Sequence, residues 1–91
     1  MHIQDLNTNK LEILFTRHLA ENKGQAFTRA QLLHEATLAT GVKYDGPELE
    51  QYRKHLRERA RRALNMLVKV LGVKKYQMQH ADNKSEIYYR L

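Results

Sequence analysis

The sequence predicts a mainly α-helical domain closed by a small β-hairpin: helix, short extended link, helix, loop, long basic helix, hairpin. Three observations predict it. Apolar residues recur at steps of three and four through three segments that stop at Gly24, Gly41 and Gly72. Pro47, the one proline, stands where the third segment opens, and its missing N–H suits the first turn of a helix. After Gly72 the pattern becomes two short strand-like runs around Ala81-Asp82-Asn83-Lys84-Ser85.

The first helix is expected from about Lys10 to Lys23. Asn9 is placed to cap it, with Glu12 as reciprocal partner and Gly24 at the left-handed position beyond its end. Leu11, Leu14, Phe15, His18 and Leu19 form its apolar stripe, with Ile13 near the edge. Gln25, Ala26 and Phe27 read as an extended link. Thr28 opens the second helix through a Thr28-x-x-Gln31 capping box, and the helix continues to Thr40 before Gly41 stops it. Val42 to Gly46 is a loop. The third helix, Pro47 to Leu71, directs Leu49, Tyr52, Leu56, Ala60, Ala63, Leu64, Leu67 and Leu71 inward. Val73 to His80 and Glu86 to Leu91 are the strands; on the second, Ile87, Tyr89 and Leu91 share one face and Tyr88 and Arg90 the other. The hairpin therefore occupies about residues 73–91 of a single domain. Three helices closed by a C-terminal hairpin is the outline of a winged helix-turn-helix domain.

Ninety-one residues allow one compact domain with a modest core. Apolar residues at 42% and charged ones at 29% fit a globular chain rather than a disordered tail. With no cysteine there is no disulfide, thiolate zinc site or thiol nucleophile, which suits a reducing compartment. The N-terminal MHIQDLNTNK lacks a signal-peptide core and no run is apolar enough for a membrane span, so a cytoplasmic, nucleoid-associated protein is the expectation.

The charge is concentrated. Between Arg53 and Lys75 lie nine Lys or Arg and one acid, Glu58, a local charge of +8; the other seven bases and nine acids leave −2. A positive helix beside a hairpin suits a surface that meets a polyanion, with duplex DNA the expected one. At about 100° per residue, Arg53, Arg57 and Arg61 form an i, i+4, i+8 ladder with Lys54 beside it, flanking the apolar stripe. Arginine matches guanine O6/N7 in bidentate fashion and also binds phosphate. A solvated helix face normally mixes both signs of charge; here Glu58 is the lone acid. Arg59 and Arg62 lie around the other side, with two open roles: phosphate contact across a groove, or pairing with acids such as Glu35.

The stretch Leu11-Glu12-Ile13-Leu14, followed by Gly24-Gln25-Ala26-Phe27-Thr28-Arg29-Ala30-Gln31-Leu32-Leu33, resembles the first two helices of the OmpR/PhoB-type winged-helix effector domain. That family has a similar leucine-rich helix, a Gly, a Phe-Thr-Arg link and a Gln-Leu-Leu helix. Tyr88-Tyr89-Arg90-Leu91 is similar to the return strand of its wing, and the likeness covers about a third of the chain. The chain departs from the family in lacking a receiver domain and room for a sheet before the helices, in its longer third helix, and in a wing that follows Gly72 closely. The resemblance implies the fold and duplex-DNA binding, without phospho-regulation. It implies major-groove contact by Arg53 through Arg62, backbone contact by Thr28 and Arg29, and a minor-groove or phosphate contact by Lys84.

Each of these residues also has a plainer role. Thr28 caps a helix, Lys84 solubilises a turn, and Tyr76, Tyr88 and Tyr89 belong to core or interface more readily than to stacked bases. His2, His18, His34, His55 and His80 show no metal-ligand spacing. No nucleophile–base pair or glycine-rich phosphate loop is present, so no enzyme, metal, cofactor or small-molecule ligand is expected. The expected function is a small, sequence-specific transcriptional regulator or DNA-organising factor of bacterial, phage or plasmid type. Such domains commonly bind as dimers, and a homodimer through the first helix or the Tyr-rich hairpin stays open. Two other readings stand beside it: a winged-helix protein-interaction module (inhibitor or adaptor), and an RNA- or replication-associated module that uses charge without base readout.

Overall fold

A computed structural model of the chain describes residues 6–40, 48–82 and 84–91. The Gly41 stop, the 42–46 loop, Pro47 and Asn83 lie outside the described residues, as does the side chain of Leu49. Three helices and a three-stranded antiparallel sheet follow in the order α1 (Thr8–Glu21), β1 (Phe27–Thr28), α2 (Arg29–Thr40), α3 (Glu48–Val70), β2 (Lys74–Gln79) and β3 (Ser85–Arg90).

The first helix starts two residues earlier than the sequence predicts. Its cap is Asn7 rather than Asn9, and the Asn7 side chain accepts a hydrogen bond from the Lys10 backbone N–H at 2.8 Å. The reason is apolar. Leu6, just before the cap, and Leu11, in the first turn, are both fully buried in one core, the staple arrangement that sets a chain's entry into a helix. At the far end Asn22 donates to the His18 carbonyl from both its backbone N–H (3.1 Å) and its side chain (2.9 Å), so the helix closes before Lys23. Gly24, at φ +93°, takes the left-handed turn that carries the chain into β1.

The link at Phe27 is a strand. Phe27 pairs with Tyr89 and Thr28 with Tyr88, so β1 adds to the hairpin and the sheet order is β1-β3-β2. A two-stranded hairpin becomes a three-stranded sheet because β3 offers a second edge and Phe27 supplies a half-buried side chain there. Thr28 ends β1 and caps α2: its Oγ1 accepts from Gln31 N–H at 3.1 Å while its own N–H donates to Gln31 Oε1 at 2.9 Å. The predicted capping box is formed.

α1 contributes Leu11, Phe15 and Leu19 to the core, and α2 adds Leu32 and Ala36. α3 buries Leu56, Ala60, Ala63, Leu64 and Leu67, as its periodicity predicts, and Tyr52 is half-buried. Leu71 departs from expectation: it is 49% exposed. Gly72 turns the chain at φ +70°, and Val73 enters the core in its place, its N–H donating to the Leu67 carbonyl at 3.3 Å. The hairpin closes through the His80 N–H, which donates to the Lys84 carbonyl at 2.7 Å.

Candidate nucleic-acid interface

Alternation along β3 sends Ser85, Ile87 and Tyr89 to one face of the sheet. Opposite that face stand α2, from Arg29 to Thr37, and the N-terminal half of α3. Between them runs an open groove of about 980 Å³. Its floor is apolar, with Leu33 and Leu56 from the helices and Ile87 and Tyr89 from the strand. Its rim carries Arg29, Arg53 and Arg57 on the helix side and Glu86 on the strand side. Thr28, which caps α2, and Ala30 in its first turn complete the α2 wall.

The groove brings together four of the sequence-predicted residues: Thr28, Arg29, Arg53 and Arg57. Arg53 and Arg57 arrive one helical turn apart on α3, and Arg29 arrives from α2 because β1 pairs with β3 just before it. The other four lie elsewhere. Lys54 is exposed on α3 outside the groove. Arg61, on the same predicted ladder, donates from Nη2 to Glu58 Oε2 at 2.9 Å, and both side chains are more than half exposed. Arg62 is exposed and sits about 140° around the helix from Arg57. Lys84 lies in a separate hollow at the hairpin tip with His80, Asp82 and Glu86, and its backbone N–H donates to Asp82 Oδ1 at 3.2 Å.

Arg59 makes a contact of a third kind. Its Nη1 donates to the Leu6 carbonyl at 3.4 Å, which ties α3 to the segment entering α1. The field of the basic residues is nonetheless felt at Glu58. Its carboxyl is held below the ordinary range, first by the hydrogen bond and charge of Arg61 and then by the charges of Arg62 and Arg29.

Three tyrosines have partners within the fold. Tyr89 is buried, Tyr76 lies beneath the Arg90 guanidinium at 5.1 Å, and Tyr88 donates its hydroxyl to Glu86 Oε2 at 3.0 Å. The sequence reading passed over Glu86 and Ser85 as groove residues. The two-residue alternation that places Ile87 and Tyr89 also signals Ser85, whereas Glu86 belongs by that alternation to the other face, with Tyr88, and only the fold brings it to the groove. Among the described residues no group of three or more His, Cys, Asp or Glu is gathered where it could hold a metal ion. None of their helices is long and apolar enough to cross a membrane. The chain matches no protein-family model, no curated protein and no solved structure.

Proposed function

We propose that the chain is a winged helix-turn-helix protein that binds double-stranded DNA, with α3 in the major groove and the β2–β3 hairpin as the wing. The observation that carries this reading is the convergence of Arg29, Arg53 and Arg57, from two helices, on one open groove walled by the hairpin. Three guanidinium groups at the rim of an apolar-floored channel suit phosphates that pass between helix and wing. The charge of the Arg53–Lys75 stretch supplies attraction over a longer range. In the cell this is the role of a small transcriptional regulator or DNA-organising factor, acting in the cytoplasm at the nucleoid.

The test is duplex binding measured across a salt series. Arg53→Ala with Arg57→Ala should lower the salt slope by about two and weaken binding at least tenfold, since two phosphate contacts are lost. Arg17→Ala with Lys23→Ala removes the same charge from exposed positions on and just after α1 and should change affinity little. Equal losses from the two pairs would point to diffuse attraction without a defined interface. Preference for an acidic protein or for structured RNA over any duplex would turn the reading to an interaction or RNA-associated module.

A further inference from the structure

Lys54, Glu58, Arg61 and Asn65 follow one another on α3 at steps of four, three and four, and all four are exposed. At ~100° per residue they fall within an arc of roughly 60° that lies opposite the buried stripe of Leu56, Ala60, Ala63, Leu64 and Leu67. They form the outer crest of the helix. Arg53 and Arg57 lie to one side of it, leaning into the groove with α2 and β3. His55, Arg62 and Lys69, all exposed, lie to the other side.

Resting on the duplex-DNA reading, we infer that this crest is the base-reading edge of α3, that the Glu58–Arg61 pair reads a G·C base pair, and that the two flanks bind phosphates. A helix lying in the major groove directs its outermost side chains at base edges and its flanks at the two sugar–phosphate walls. The crest carries the side chains that discriminate bases: Lys and Arg donate to guanine O6/N7, Glu accepts from cytosine N4, and Asn makes bidentate contact with adenine.

Glu58 is the residue that gives the crest its meaning. It is the one acid between Arg53 and Lys75, and it occupies the part of the helix farthest from the core. An exposed i,i+3 ion pair adds little to stability, and a carboxylate facing a polyanion weakens non-specific attraction. The 2.9 Å bond from Arg61 Nη2 instead holds one arm of the guanidinium fork and leaves its remaining donors outward. The carboxylate keeps its other lone pairs for a cytosine amino group. A purely electrostatic surface has no use for either feature, whereas a reading head needs both.

The experiment is a selection of duplexes from a pool randomised across the site, using wild type, Glu58→Ala, Asn65→Ala and the Arg53→Ala/Arg57→Ala pair. Circular dichroism checks that each variant is folded; alanine is a favourable helix residue at both crest positions. Wild type should enrich a motif containing a G·C pair. Glu58→Ala should relax that pair, losing roughly 5- to 150-fold of discrimination there, while binding unselected duplex severalfold more tightly. Asn65→Ala should relax a different pair. The arginine pair should keep the motif and lose affinity uniformly, with a salt slope lower by about two. A motif unchanged in Glu58→Ala would overturn the assignment and leave the DNA reading intact. Wild-type binding without sequence preference would do the same. Failure of the wild type to bind any duplex would overturn the DNA reading and this inference with it.

Discussion

Phe27 of β1 sits opposite Tyr89 of β3, and this pairing fastens the hairpin to the residue pair that opens α2. The C-terminal end is tied to the same region, where the Gly24 N–H donates to the Leu91 carbonyl at 3.4 Å. The groove between hairpin and helices is therefore held from one end of the sheet. Its shape depends on a handful of side chains whose removal has definite consequences.

Tyr89 is 5% exposed and belongs both to the sheet and to the core. Tyr89→Ala should cost about 3 kcal/mol, the typical loss for truncating a buried aromatic residue, and should shift a urea midpoint accordingly. Duplex binding, measured where the variant is still folded, should fall as well, because Arg29 and the hairpin lose their common anchor.

Leu6 lies outside every helix and strand, yet it is fully buried. Leu6→Ala should destabilise the fold by about 2–5 kcal/mol, as much as a leucine in the middle of α1. Ile13→Ala, at a helical position that is 61% exposed, should cost under about 0.5 kcal/mol. Chemical denaturation of the two variants would order them, and the reverse order would remove Leu6 from the core.

The Thr28–Gln31 capping box makes two reciprocal bonds, so its members act as a unit. Thr28→Ala should cost about 1 kcal/mol, and Gln31→Ala less. The double variant should cost less than the sum, a coupling that a double-mutant cycle measures directly. Thr28→Ser keeps an oxygen for the Gln31 N–H and should restore most of the stability.

Tyr88 has a phenol held above its ordinary value of 10.0, first by the hydrogen bond to the Glu86 carboxylate, then by burial and by that residue's charge. Because the folded-state value is raised, the stabilising contribution is present below the unfolded value and fades as pH rises through the folded one. Glu86→Gln removes the carboxylate charge, so Tyr88 should titrate closer to its ordinary value, and the alkaline loss of stability should be smaller and complete at a lower pH. Phenolate absorbance during titration, with Tyr88→Phe as the subtraction, would report it.

Lys84 stands between Asp82 and Glu86 at the hairpin tip, away from the groove arginines. Its field at a distance is therefore weak, and any contact must be local. If the wing enters a minor groove, Lys84→Ala should open one footprint flank, most of all in A·T-rich sequence where that groove is narrow. Protection of the central site should persist.

Features written within a few residues of one another were legible in the chain. The stripe from Leu56 to Leu67 placed one face of α3 in the core, and Thr28 with Gln31 marked the start of α2. Gly24 took the left-handed conformation expected of it, Gly72 followed the end of α3 as expected, and the two-residue alternation of β3 matched its observed register. The basic stretch was also plain, since charge is counted directly from composition. At the start of α1 the local signal misled: Asn9 with Glu12 reads as the cap, but the burial of Leu6 sets the cap at Asn7.

The sequence by itself determined three helices, their order, a hairpin and a basic α3, because each follows from periodicity, capping or composition over a short span. Only the tertiary structure decided that Phe27 and Thr28 form a third strand, that Arg59 reaches the Leu6 carbonyl, and that Leu71 yields its core position to Val73. It also decided how the arginines divide, with Arg29 joining Arg53 and Arg57 in the groove while Arg61 stays with Glu58 on the outer crest. These outcomes rest on pairings between residues far apart in the chain. No local pattern encodes them; they follow from which surfaces meet when the apolar faces of the helices and the sheet are buried together.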